Sequence, residues 1–243
     1  MSNDRLELLL LHALPLDGSM WEGQMHLLPG STHAPTLYSL GNSIEAWPAE
    51  ALKSVRGNRL IVVGCWVGGS CALEIAALAP DRIAALVLIG TKARHGPEPA
   101  LHVSVWNCLE TRDWRPHGMP IGVRCLLDRP AARVIGAAKA TTLRQPPHDV
   151  AQGVTVFHRR PSREQVLMNL PRPIVIVTGE DDRAPGTETS SMQAAQARHG
   201  RLKVVRNCGH YVPLEQPEFL NAVLQEVIGE QQRSSPEQLS SLT

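Results

Sequence analysis

The side chains best suited to chemistry in this chain stand at the ends of apolar runs. Leu60–Val63 leads into Gly64-Cys65-Trp66-Val67-Gly68, with Ser70 just beyond; Pro173–Thr178 leads into Gly179-Glu180-Asp181-Asp182; Leu202–Val205 leads into Asn207-Cys208-Gly209-His210. A neutral imidazole such as that of His210 takes a proton from an O–H, N–H or activated C–H near physiological pH and returns it elsewhere. A thiol or hydroxyl can be acylated. Trp66 cannot, because its indole N–H only donates. Cys65 adjoins the apex and points away from the side to which Trp66 points; Ser70 sits one helical turn on, beneath the bend. Both are expected to be small core residues. The ten histidines lack paired ligand spacing, and Val67-Gly68-Gly69-Ser70 lacks the lysine of a phosphate loop, so no metal, nucleotide or other cofactor is expected.

These residues need a scaffold of strands and helices. Ile61–Val63 is β-branched and apolar, and after Gly64 small residues (Gly68, Gly69, Ala72, Ala76) recur at helical spacing, so a strand turns sharply into a helix. Small residues must flank such a bend, since strand end and helix start pass at close range and the apex is forced toward positive φ. Leu6–Leu11 reads as a buried strand ending in His12-Ala13-Leu14-Pro15. Helix-like residues 21–28, a short strand at 34–37 and a loop at 38–43 follow, then a helix over 44–55. The elbow helix, 68–78, leads to a strand over 83–89. After residue 170 come a strand at 173–178, a helix at 190–199, a strand at 202–205 and a helix at 218–228. Strands alternating with helices call for a parallel sheet with right-handed crossovers, and ligands lie beyond the carboxyl ends of its strands. The mostly parallel sheet is expected to have about six strands, with helices on both faces.

Between about 95 and 170 Pro and Arg become frequent and no strong strand occurs, while Val103, Trp106 and Leu109 recur at helical spacing. The expected division is a core of 1–94 and 171–230, a helical insertion at 95–170, and a polar, disordered tail at 231–243. With 243 residues, 43% of them hydrophobic, and a formal charge of +1, the chain suits one sizeable core, and near-neutral charge argues against nucleic-acid or membrane-surface partners. Leu8–Leu11 is too short for a span, and no leader is evident. Five cysteines without C-x-x-C spacing fit reduced thiols and a cytosolic setting.

In its motifs the chain resembles the α/β-hydrolase family. That family's nucleophile elbow reads G-x-S-x-G, and here Gly64-Cys65-Trp66-Val67-Gly68 keeps the frame without the nucleophile. The segment His12-Ala13-Leu14-Pro15 matches the family's H-G-x-P, which implies backbone N–H donors for an oxyanion at Leu14 and Val67. The acid of the family lies three residues after Gly179, which implies Asp182, with Asp181 as the fallback. Gly209-His210-Tyr211 through Glu218 matches G-H-x-x-x-x-E-x-P and implies His210 as catalytic histidine. The D-x-P-G-x-G-x-S loop of relatives is reduced to Gly41 and Ser43, and the hairpin that opens the family's sheet is missing. Residues 95–170 would be a cap whose Trp106, Trp114, Met119, Leu126, Leu127, Met168 and histidines roof the pocket.

The resemblance thus retains a base and its orienting acid with no hydroxyl to activate. It implies a cofactor-independent, non-hydrolytic enzyme in which His210 shuttles protons, Asp182 orients it, and Leu14 and Val67 N–H hold a developing enolate or phenolate. Non-hydrolytic lyases, cyclases and carbon-carbon coupling enzymes of natural-product pathways are similar. Trp66, with Trp21, Trp106 and Tyr211, would contact a largely apolar, aromatic or polyketide-like small molecule, in a monomer or homodimer. Two other readings stay open: a ligand-binding protein without catalysis, and a hydrolase in which His210 activates water.

Overall fold

The computed structural model describes residues 4–95 and 132–234. Six strands form one sheet: β1 Leu6–Leu11, β2 Thr32–His33, β3 Arg59–Cys65, β4 Ile83–Ile89, β5 Ile174–Gly179 and β6 Gly200–Val205. Their order is β2-β1-β3-β4-β5-β6 and every neighbouring pair is parallel. Side chains alternate between the faces with the two-residue period of a strand. Leu9, Leu11, Val62, Leu86 and Ile174 pack on one face, under helices α1 (Ala46–Lys53) and α2 (Val67–Leu78). Leu8, Leu10, Val63, Val87 and Val175 pack on the other, together with the final helix Pro217–Arg233. Central strands covered on both faces read as unbroken apolar runs rather than alternating ones, which is why β1, β3, β4 and β5 stand out in the sequence.

Between β4 and β5 the described residues form α3 (Ala132–Arg144), α4 (Pro147–Arg159) and α5 (Glu164–Asn169). Trp106, Trp114, Met119, Leu126, Leu127, Cys108 and Cys125 lie outside the described residues. After β5 come α6 (Gly186–Gln196), α7 (Val212–Glu215) and α8, the helix Pro217–Arg233. None of the described helices is long and apolar enough to cross a membrane.

The structure corrects several element boundaries. The strand expected at 34–37 is instead the two-residue β2, and Leu37 opens a 3-10 turn because its N–H is taken by the buried ring of His12, at 2.8 Å. The helix expected over 21–28 is a 3-10 turn, Gly18–Gln24, started by Asp17 accepting the Ser19 N–H at 2.9 Å. The tail expected from 231 begins later. Helix α8 runs to Arg233, since Gln231 is buried and its carbonyl accepts from Arg59.

Candidate active site

The bend between β3 and α2 is built by close approach. A Cβ on Gly64 would strike the carbonyl of Gly68, one on Gly68 the carbonyl of Leu11, and one on Gly69 the side chain of Thr91. Only glycine fits at any of the three. Between them Trp66 is held at φ 50° and ψ −108°, a backbone region costing an ordinary residue roughly 1–3 kcal/mol. The surroundings hold it there. Trp66 N–H donates to Ile89 O at 2.9 Å, and its carbonyl accepts from Gly69 N at 3.1 Å and Ser70 N at 3.2 Å.

Across the carboxyl ends of the strands, His210 and Asp182 meet. His210 Nδ1 lies 3.1 Å from Asp182 Oδ1, and both side chains are buried. A carboxylate only accepts, so Nδ1 carries a proton, and in the neutral ring the lone pair is then on Nε2. It is Asp182, rather than Asp181, that faces the imidazole. Burial pushes the Asp182 carboxyl up, but hydrogen bonding and attraction to His210, with the Ala184 N–H at 2.8 Å, outweigh it and hold the group below its ordinary value. Gly90, at φ +53°, makes room for the pair, because a Cβ there would stand 2.9 Å from His210 Nδ1 and 3.3 Å from Asp182 Oδ2. The histidine loop is fixed by Glu215, whose carboxylate accepts the Gly209 N–H at 2.8 Å and the Tyr211 N–H at 2.9 Å.

The indole of Trp66 stands edge-on to the imidazole, with ring centroids 5.6 Å apart, and edge-on to Phe157 at 5.1 Å. His210 Nε2 is buried and meets no hydrogen-bond partner among the described residues. Beyond the indole lies a cavity of about 250 Å³ floored by Trp66 and Phe157 and edged by Gly90, Ala184 and Pro185. The rest of its described lining is Lys92, Arg160, Arg183, His95, His158 and Thr189.

The other candidate residues fall at varied distances from this centre. The Leu14 and Val67 N–H groups, one after β1 and one heading α2, donate to no acceptor among the described residues. Trp21 is a correction: it is wholly buried in the packing between the sheet and α8 and lines no wall of this cavity. Tyr211 is also wholly buried, and its hydroxyl donates to Leu14 O at 2.7 Å, so it braces that turn instead of facing a ligand. Met168 is exposed, because α5 turns Leu167, with Val166 beside it, toward the core and leaves Met168 on the outer side. Cys65 and Cys71 are buried free thiols, and burial pushes both up, Cys65 further under the influence of Asp182. Ser70 is buried in α2.

Two supporting residues escape sequence reasoning. His12 is wholly buried, donates from Nδ1 to Ala13 O at 2.9 Å and accepts the Leu37 N–H at Nε2; desolvation lowers it to about 4. Gln193 reaches from α6 to the loop after β4, accepting the Ala93 N–H at 2.6 Å and donating to Thr91 O at 2.9 Å. His12 heads the His12-Ala13-Leu14-Pro15 motif, but neither its bond to Leu37 nor the reach of Gln193 is signalled locally, since those partners lie far along the chain.

Comparison with known proteins agrees with this architecture. The chain is 22% identical over 258 aligned positions to a pimeloyl-[acyl-carrier protein] methyl ester esterase of Aromatoleum aromaticum, covering 93% of this chain and 99% of that protein. Its structure is similar to a thermophilic esterase from Thermogutta terrifontis, with a TM-score of 0.79 and 24% identity over 95% of this chain and 92% of the other. It is similar also to MenH from S. aureus, at a TM-score of 0.75 and 17% identity over 96% of each chain. Residues 8–223 match the family described as the alpha/beta hydrolase family, and with its six-stranded parallel sheet the chain belongs to that family.

Proposed function

We propose that this chain is a cofactor-independent enzyme that moves protons without forming an acyl-enzyme. The observation carrying the reading is that a partly buried indole occupies the elbow apex and packs against the imidazole of a His210–Asp182 pair. Acyl transfer needs an oxygen or sulfur within reach of the base; Cys65 and Ser70 are buried, and no described hydroxyl or thiol bonds His210 Nε2. In this reading Asp182 fixes the Nδ1–H tautomer and stabilises the imidazolium. Nε2 takes a proton from the substrate and returns it at another atom. The Leu14 and Val67 N–H groups stabilise the enolate or phenolate oxygen formed meanwhile.

The reaction class is addition, cyclisation, carbon-carbon bond formation, elimination or isomerisation of an aromatic or polyketide-like molecule. The substrate enters by displacing the Trp66 ring from Nε2 and stacking on its face, which is worth about 0.5–1.5 kcal/mol beyond area burial. Helix α4, which brings Phe157 to the cavity, belongs to the described part of the cap in this reading.

The test is a panel of such compounds followed by mass spectrometry. Wild-type protein should transform at least one, and His210→Ala should reduce the rate by about 10²–10⁴. A panel that only raises the melting temperature, with no mass change, makes the protein a binder instead. The esterase names of its relatives favour a second reading, a hydrolase in which His210 activates water. It predicts hydrolysis of p-nitrophenyl esters with no acyl burst, whereas the proposed reading predicts negligible ester turnover.

A further inference from the structure

We propose that Phe157 is a positioning residue that controls access to His210: its ring props the Trp66 indole over Nε2, and the two rings form a gate that a substrate must part. This deepens the reading above and rests on it only for His210 as the reacting base; the shielding of Nε2 stands without it.

His210 Nε2 is buried although no described residue hydrogen-bonds it, so packing rather than bonding closes it off. Two aromatic rings stand edge-on to the imidazole, Tyr211 with centroids 5.2 Å apart and Trp66 at 5.6 Å. Tyr211 is tied down, since its hydroxyl donates to Leu14 O at 2.7 Å. The Trp66 indole is held by ring packing: besides the imidazole it meets Phe157 of α4, edge-on at 5.1 Å. Of the two rings over His210 it is therefore the one that swings aside, provided that Phe157 lets it. Phe157 itself has little room to yield. The Arg160 guanidinium carbon lies 3.7 Å from its ring centroid, and Nη1 of the same group donates to Phe157 O at 2.6 Å. His95 Nε2 donates to the next carbonyl, of His158, at 2.8 Å, and the Arg163 N–H donates to Ala93 O at 2.9 Å, so the carboxyl end of α4 is moored to the loop after β4. Phe157 is thus a fixed stop against which the indole rests. On the outer side of this stop is the cavity of about 250 Å³, which Trp66 and Phe157 line and whose described lining does not include His210. The two rings stand between the space open to a molecule and the base it has to reach. Parting them sacrifices their mutual ring contact, which a flat unsaturated molecule replaces with its own.

Diethyl pyrocarbonate, which transfers an ethoxycarbonyl group to an accessible neutral imidazole nitrogen, reads the gate in the full chain without any substrate, and peptide mapping by mass spectrometry gives the rate at each histidine. His210 should react slowly in wild type beside the exposed His26 and His199. Phe157→Ala should speed His210 about tenfold, the upper worth of one aromatic pair, because the reagent tracks the open population. Phe157→Tyr, which keeps the ring, should return the slow rate. Val150→Ala, at a buried position two turns away on the same helix, loosens α4 without removing the ring and should leave His210 slow. His12, wholly buried with both ring nitrogens bonded, reports unfolding; if it turns reactive in Phe157→Ala, Phe157→Leu is read in its place. Trp66→Gly, which suits the positive φ of the apex, should itself open His210, and adding Phe157→Ala to it should change the rate by less than about twofold, since Phe157 acts only through the indole. The proposal is overturned by a wild-type His210 as reactive as His26, by an unchanged rate on loss of the Phe157 ring, by failure of Phe157→Tyr to restore the slow rate, by equal acceleration in Val150→Ala, or by a further large gain in the double variant. The catalytic reading fails separately: a gate that behaves as described in a protein that converts nothing sinks the reaction and spares the gate.

Discussion

At the scale of single residues, the His210–Asp182 contact and the Trp66 backbone make opposite demands. The pair is satisfied at Nδ1 but leaves Nε2 buried without a described partner, while Trp66 keeps a strained backbone with no nucleophile to justify it. In the proposed reading the strain persists because the elbow still aims the Trp66 ring and presents the Val67 N–H. Trp66→Ser should accordingly alter or weaken turnover without creating an efficient esterase, checked with p-nitrophenyl acetate under burst conditions. His12 gives a pH prediction. Its folded value of about 4 lies below the ordinary 6.5, so the fold favours the neutral ring. That stability is complete above pH ~6.5 and is lost as pH falls toward ~4, amounting to about 3 kcal/mol. Urea unfolding from pH 7 to 4 should show this loss in wild type, and His12→Asn should lose less over the same range. Asp182, His210 and Trp66 were legible because each sits in a short local motif. His12, Gln193 and the bracing role of Tyr211 were not, because their partners at Leu37, Ala93 and Leu14 come from folding rather than from spacing.

At the scale of elements, what places the site is close packing of backbone at the β3–α2 bend. Gly68→Ala would drive a Cβ into the Leu11 carbonyl of the neighbouring strand and should cost about 3 kcal/mol or more, since backbone cannot yield as a flexible side chain does. Gly136→Ala is the control. It sits exposed within α3 with nothing near its added Cβ, and should gain about 0.5–1 kcal/mol. Thermal melts of the two variants check the contrast. Strands β1, β3, β4 and β5 announce themselves in the sequence because burial on both faces makes them continuously apolar. Strand β2 does not, because a two-residue edge strand is defined by its pairing of Thr32 with Leu8 and of His33 with Leu9, and neither of its residues is apolar. Residues 21–28 misled for a related reason: the Asp17 cap and a buried Trp21 favour a tight 3-10 turn where apolar spacing alone suggested a longer helix.

At the scale of the whole molecule, loops from distant parts of the chain converge on one end of the sheet and are tied together there. Gln193 holds the loop after β4, and Arg163 binds Glu74 of α2 through two hydrogen bonds of 2.8 and 2.7 Å while its N–H donates to Ala93 O at 2.9 Å. Gln193→Leu would leave the Ala93 N–H and Thr91 carbonyl buried and unpaired, a loss of about 2–5 kcal/mol, to be read from denaturant midpoints. The family membership and fold follow from matches spread over nearly the whole chain, whereas the proposed chemistry turns on one side chain, Trp66 at the apex. Intact-protein mass after treatment with an alkyl fluorophosphonate, which phosphonylates an activated hydroxyl, tests that most directly. The account predicts an unchanged mass for wild-type protein. A single phosphonyl adduct, mapped to Ser70 or any other residue beside His210 and abolished by His210→Ala, would contradict it.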